Sequence, residues 1–305
     1  MIYVNRLLET EWGWSKNYMK FFEQGIKENG YDVVLYPERE TIKNRDLLYW
    51  LKMYGLQAYQ EIKKHKPECV LFLDPMQAVD IQMLELKCPT VLLLHVAKGF
   101  YADCLNVPMY DSYIEWLSTK VTKVLALSNY IGRSYGITTT PVYSFAEPFE
   151  DNKKEGYVAW AGALKYRNFE EFKQIVLEMP DVRFRVFTQD VVDKFAPNVE
   201  VYNRLTSEEY KERIKGANVI LSTAKHETFG YGIMEAVSRG AFPLVPNRAC
   251  YPEIYSREFF YCSRVEAKLK IRVFLEEKDK EGLRELCDKY SPKKIVKKIM
   301  EECVC

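Results

Sequence analysis

Two periodicities alternate along the chain. Short apolar runs bounded by turn residues are separated by longer stretches in which apolar positions recur every three or four residues. The runs Ile2–Val4, Asp32–Tyr36, Val70–Leu73, Thr90–His95, Val121–Leu127 and Pro141–Phe145 read as strands. So do Tyr157–Ala161, Val182–Phe187, Val199–Tyr202, Val219–Leu221 and Ala241–Val245. Between them the pattern predicts helices over Ser15–Asn29 (Ser15 as N-cap, Gly30 closing), Arg45–Lys64, and Asn129–Tyr135 behind Ser128. Further helices are predicted over Phe169–Met179, Glu208–Lys215 capped by Ser207, and Ile233–Arg239 stopped by Gly240. Strands spaced by helices predict an α/β chain built on doubly wound parallel sheets.

A length of 305 residues allows about two domains. The composition changes at Glu147–Gly156, EPFEDNKKEG, where proline, charges and glycine stand between two strand patterns, as in a hinge. The expected division is therefore a domain over 1–148, a second over 156–288, and a tail over 289–305. In the tail, Ile295, Val296 and Ile299 fall on one side of a helix and lysines on the other. That helix is expected to pack back across the domain joint rather than onto a membrane.

The most informative stretch is VILSTAKHETFGYGIMEAVSRGAFPLVPNRACYPEIY, from Val219 to Tyr255. It reads as strand, polar loop, glycine-softened helix start, helix and strand. Such a unit opens its loop at the carboxyl edge of the sheet, where open α/β sheets bind ligands. Backbone N–H groups at Phe229, Gly230 and Tyr231 can face an anion at the helix start, and Gly230 and Gly232 keep side chains out of its way. Glu227 in the loop and Glu235 in the helix can both reach that crevice, and a carboxylate accepts two hydrogen bonds from paired sugar hydroxyls. The same spacing also suits an ordinary α/β helix with one solvated and one capping glutamate.

Charge and composition narrow the setting. Formal net charge is +1, so bulk electrostatics gives no case for nucleic-acid binding, although a local basic face remains compatible with it. No run approaches the length of a membrane span, and the first residues are too short and too charged for a signal peptide. Eight cysteines without a Cys-x-x-Cys pair point to a reduced, cytoplasmic setting, and Cys303 and Cys305 with only three histidines in the chain make a poor metal site. Trp12, Gly13 and Trp14 in the first strand-to-helix loop suit stacking on a sugar or base, or structural packing. His95 at a strand end suits either a hydrogen-bonded structural role or a functional one. The long connection Lys98–Asp111, with Phe100, Tyr101, Asp103 and Tyr110, has the length of a binding loop.

Glu227 and Glu235 with seven residues between them, followed by Gly240-x-x-Pro243, resemble the donor-site signature of the retaining, two-domain glycosyltransferases of family 4. Ser222–Glu227 (STAKHE) and Tyr251–Ile254 (YPEI) are similar to segments of the tRNA-queuosine mannosyltransferase branch. The resemblance is close over Val219–Cys262 and looser over most of the chain. It implies a GT-B fold, two Rossmann-like doubly wound parallel-sheet domains facing across a cleft. It implies a nucleotide-diphosphate sugar, UDP- or GDP-linked, as co-substrate, with no tightly bound cofactor; the lack of an Asp-x-Asp motif argues against an essential metal.

The resemblance also implies roles. Glu235 takes the ribose, and Phe229, Gly230, Tyr231, Gly162, Thr188 and His226 complete the donor site. Lys165 and Arg167 grip the diphosphate, although Gly162-Ala163 replaces the usual Gly-Arg pair. Glu227 and His95 stand by the donor sugar, and Trp12, Gly13, Trp14 and Tyr101 meet the acceptor. The implied acceptor is a hydroxyl on a modified base in nucleic acid, either queuosine in tRNA or a hydroxymethylated pyrimidine in DNA as phage enzymes use, in which case the setting is the host cytoplasm. A small-molecule, glycan or lipid acceptor and a non-catalytic nucleotide- or sugar-binding module are the competing readings.

Overall fold

The computed structural model describes residues 1–5, 13–36, 59–73, 75, 86–99, 109–164 and 167–304. The chain divides into two compact units, Met1–Phe145 with Pro292–Cys305, and Ala146–Ser291. Each is built on a six-stranded sheet whose paired strands all run parallel.

In the first unit the strands are β1 (Ile2–Asn5), β2 (Val33–Tyr36), β3 (Cys69–Phe72), β4 (Thr90–Leu94), β5 (Lys123–Ala126) and β6 (Thr140–Pro141), ordered β2-β1-β3-β4-β5-β6. The centre of this sheet is apolar throughout: Val70, Leu71, Leu92, Leu93, Leu125 and Ala126 are fully buried, as strands covered on both faces must be. The tail forms the helix Pro292–Val304, which packs on the helix Gly13–Asn29. A Cβ at Gly25 would lie 2.5 Å from the Pro292 carbonyl oxygen, so a glycine there permits the close approach. Lys123 Nζ donates to the carbonyl and carboxylate of Glu302 at 3.0 and 3.1 Å, fixing the far end of the tail.

In the second unit the strands are β7 (Tyr157–Ala161), β8 (Arg183–Thr188), β9 (Val199–Asn203), β10 (Ala217–Leu221), β11 (Phe242–Pro246) and β12 (Phe260–Tyr261), ordered β12-β11-β10-β7-β8-β9. This is the doubly wound dinucleotide-fold order. Trp160 anchors one face against Phe169 and Phe172, at centroid distances of 5.0 and 5.5 Å, and its indole N–H donates to Thr223 Oγ1 at 3.1 Å. No described helix is long and apolar enough to cross a membrane.

Several expected boundaries move for identifiable reasons. The strand expected over Pro141–Phe145 is only Thr140–Pro141, because Tyr143 takes a left-handed φ of 64° that no strand can continue through. Thr206, not Ser207, caps the helix Ser207–Ile214. Its hydroxyl accepts from the Glu209 N–H while the Glu209 carboxylate accepts from the Thr206 N–H, a reciprocal capping box. The first helix begins at Gly13, which places Ser15 inside it. Ser128 holds the N-cap position of Asn129–Tyr135, but its side chain makes no capping bond. Of the helix expected over Arg45–Lys64, only the end lies among the described residues, where 59–65 are helical.

The stretch 147–156 folds onto the second unit. Glu147 accepts from Lys211 Nζ at 2.7 Å and is ion-paired with Arg239. Lys154 Nζ donates to the carbonyls of Arg239 and Lys215 at 2.6 and 3.1 Å, capping the ends of two helices.

Candidate active site

The second sheet reverses its winding between β7 and β10, and the loops leaving both strands meet at that carboxyl edge. This is the position at which open α/β sheets hold ligands. The loop after β7 begins with Gly162 at φ 141°, where a Cβ would come within 2.6 Å of Arg167 Cγ. Glycine thus lets the Arg167 side chain lie back across its own loop. The Arg167 carbonyl accepts from the Thr223 hydroxyl, tying this loop to the one after β10.

The two loops are joined by charge. Arg167 Nη1 donates to Glu227 Oε2, and the side chains are only 23% and 11% exposed. The other oxygen of Glu227 accepts from the Thr228 N–H at 3.1 Å. Gly230, at φ 87°, is the N-cap of the helix Tyr231–Ser238 and sits against the Glu227 side chain, 3.6 Å from its Cγ to the position a Cβ would take. A cation, a carboxylate and the donor end of a helix therefore converge on one corner, and the first N–H groups of a helix have no intrahelical acceptors. Phe229 contributes backbone only; its ring is buried in the unit's core, 5.4 Å from Tyr290. His226 is half-buried in the same loop.

One turn into that helix, Glu235 is half-buried. Burial, then the nearby charge of Glu147, pushes its carboxyl up to about 7, against the pull of Lys211 and Arg239. Arg239, 5% exposed, donates to the Glu235 carbonyl at 3.1 Å and to Ser238 Oγ at 3.0 Å while pairing with Glu147. Burial alone would raise Glu147, but Lys211 and Arg239 hold it below its ordinary value. Tyr210, whose hydroxyl donates to the Gly232 carbonyl at 3.4 Å, completes the wall beside Glu235.

Thr188 apart, the residues that support the site carry no sequence motif of their own. Arg248 donates to the Ala224 and Thr223 carbonyls at 2.9 and 3.0 Å and reaches Glu171 at 3.4 Å, bracing the loop that carries Glu227. Asp190 accepts from the Leu164 N–H at 2.8 Å, linking the loops after β7 and β8. Thr188 is buried, and its hydroxyl accepts from the Asp190 N–H at 3.1 Å, so it serves the turn. Of these, only the Thr188–Asp190 pair is close in sequence, so no local pattern announces the rest. Lys165 lies outside the described residues. Among the described residues no group of three or more His, Cys, Asp or Glu side chains is arranged to hold a metal ion.

In the first unit, His95 follows β4 and is 8% exposed, edge-on to Tyr18 at 5.0 Å. Burial lowers its pKa to about 4, partly offset by the Leu73 backbone. The unfolded chain therefore binds the extra proton below pH 6.5 and the folded chain only below about 4, so stability rises with pH across that window. Thermal melts should show a gain of about 2–3 kcal/mol between pH 4 and 6.5 that is absent in His95→Gln; equal slopes would contradict it. Trp12 and Tyr101 lie outside the described residues; Gly13 and Trp14 open the first helix.

Structural comparison then decides the architecture. A sucrose-phosphate synthase from Thermosynechococcus elongatus superposes with a TM-score of 0.75 at 10% identity, covering 99% of this chain and 97% of that one. Anabaena HepE, solved in complex with UDP, gives 0.69 at 12% identity over 99% and 98%. The fold is GT-B. No family model matches the sequence. A tRNA-queuosine alpha-mannosyltransferase from Drosophila melanogaster is 29% identical over 120 residues, 37% of this chain and 32% of that protein. The chain thus matches about a third of the length of this curated relative. Within the GT-B fold, the Arg167–Glu227 corner and Glu235 both belong to the second Rossmann-like unit, at its winding reversal.

Proposed function

We propose that the protein is a glycosyltransferase that moves a sugar from a UDP- or GDP-linked donor, with retention of configuration, to a hydroxyl on a modified base in nucleic acid. The observation that carries this reading is the Arg167–Glu227 pair beside the glycine-capped start of the helix Tyr231–Ser238. The donor diphosphate sits at that helix start. As the sugar–phosphate bond breaks, negative charge grows on the diphosphate, and the helix amides, Arg167 and Lys165 stabilise it more strongly than they do the intact donor. Arg167 hands part of its hydrogen bonding from Glu227 to the phosphate. Glu227, still held by the Thr228 N–H, accepts from the sugar hydroxyls. Glu235 accepts from the ribose hydroxyls. The similarity to a tRNA-queuosine mannosyltransferase supports the choice of acceptor.

The test is mass spectrometry of tRNA nucleosides and of hydroxymethylpyrimidine DNA after incubation with UDP- and GDP-sugars. The expected result is a hexose or pentose mass added to one nucleoside. Donor hydrolysis without any nucleoside gain would move the acceptor to a small molecule; neither hydrolysis nor transfer would end the transferase reading.

Glu235 also predicts a pH signature. Ribose hydroxyls donate to the ionised carboxylate, yet without nucleotide the buried carboxyl holds its proton up to about pH 7. Nucleoside diphosphate affinity should therefore strengthen as pH rises from 5.5 towards 7, by up to about tenfold per unit. Calorimetric titration of Glu235→Gln, in which phosphate ionisation is common to both proteins, should lack that component; identical pH profiles would show that Glu235 does not face the nucleotide.

A further inference from the structure

Cys69 opens β3, an inner strand of the first sheet, and Cys303 stands on the tail helix Pro292–Val304, which packs against that strand. Both side chains are buried, and their thiols are hydrogen-bonded to each other. Strand and tail belong to one unit, yet a bond between these two sulfurs would close a loop of about 230 residues.

The charges around the pair give the two sulfurs different roles. Lys123 acts on Cys69 with its charge while its Nζ donates to the carbonyl and carboxylate of Glu302, the residue before Cys303. The Cys303 S–H, donating to Cys69, lowers the Cys69 thiol against the opposing cost of burial, and Lys123 adds to that effect. The same hydrogen bond, together with burial, raises Cys303. Cys69 is therefore the sulfur that ionises, as an attacking thiol must, and Cys303 keeps its proton. The side chains of Lys123 and Glu302 are 30% and 29% exposed, so solvent lies one side chain away from the pair and a small uncharged oxidant needs no large opening.

We infer that Cys69 and Cys303 are a peroxide-sensitive pair whose disulfide locks the tail helix to β3. The Cys69 thiolate attacks hydrogen peroxide: an S–O bond forms, the O–O bond breaks, and the departing hydroxide takes up a proton to leave as water. The Cys303 sulfur then attacks the sulfenic acid. The S–S bond forms, the S–O bond breaks, and the Cys303 proton leaves with the second water. Two thiols lose two electrons, and one peroxide becomes two waters. Exchange with a small thiol reverses the bond. The reduced tail is held by the close approach at Gly25, by the Asn29 amide donating to the Lys293 carbonyl at 2.9 Å, and by Lys123 on Glu302. The disulfide adds a covalent tie at the end of the tail far from Gly25. Because the chain leaves the first unit at Phe145 and returns at Pro292, the closed loop contains the whole second unit.

The test is peroxide treatment of Cys305→Ser, followed by alkylation of the remaining thiols and tryptic mass spectrometry. The peptides that carry Cys69 and Cys303 should be joined; Cys305 shares the Cys303 peptide, and replacing it makes the link unambiguous. The melting transition of the first unit should rise by about 5–10 °C on oxidation, fall back with dithiothreitol, and stay unmoved in Cys303→Ser. A bond from Cys69 to the half-buried Cys88, which lies close enough to feel its charge, overturns the inference. So do both thiols remaining free at a peroxide dose that oxidises the exposed Cys262, and a Cys69–Cys303 bond that forms without raising the melting transition. None of these readouts requires a sugar donor or an acceptor.

Discussion

Replacing Arg167 by alanine should lower transfer from the nucleotide sugar by about 10²–10³-fold, mostly in kcat. Arg167 is the one described cation ion-paired to Glu227, and its guanidinium is largely sheltered from water by the loops after β7 and β10. In that setting its charge is screened less than at an open surface. On the proposed mechanism it stabilises charge that develops only as the donor breaks, so the expected loss belongs to turnover more than to KM. Glu227→Gln keeps the shape of the loop but removes the charge that holds Arg167 in place, and should cost a comparable factor. Because the two residues act as one unit, the double variant should be little worse than either single one. Strictly multiplicative losses in kcat/KM would show that the pair does not work together.

Glu147→Ala should destabilise the second unit by about 3 kcal/mol. The carboxylate joins Lys211 on one helix to Arg239 at the end of another, and Arg239 is 5% exposed. Removing one member of a buried pair leaves the other charge without compensation, which costs more than the pair itself contributed. The sign of the pH dependence follows from Glu147 being held below its ordinary carboxylate value: it contributes stability above that value, lost as pH falls through its lowered folded pKa. Urea titration should therefore place the midpoint of Glu147→Ala well below that of the wild type at pH 7, with the gap closing in acid. A midpoint unchanged at pH 7 would mean that Arg239 is satisfied elsewhere.

What could be read from sequence was local. The span Tyr157–Ala161 is a strand over the residues expected, and a helix does follow the polar loop after β10, though it runs Tyr231–Ser238 and so starts two residues before the expected Ile233. The meaning of Glu147 was hidden, because EPFEDNKKEG has the composition of a linker. Its charges instead bind partners 64 and 92 residues away. The partner of Glu227 is 60 residues distant, and Arg248 reaches the Thr223 and Ala224 carbonyls across 25 and 24 residues. Contacts of that range leave no periodic trace in the chain. The cap at Thr206 is legible in the sequence: Thr206-x-x-Glu209 is a capping box, whereas Ser207-x-x-Tyr210 is not.

The central claim is that the corner formed by Arg167, Glu227 and the start of the helix Tyr231–Ser238 grips a nucleoside diphosphate. Calorimetric titration of UDP and GDP into wild type, Arg167→Ala and Glu235→Gln at pH 7.5 tests it most directly. The account predicts saturable one-site binding of one nucleotide to the wild type, weakened about tenfold or more in each variant. Equal affinity in all three proteins, or no binding of either nucleotide to the wild type, would contradict it.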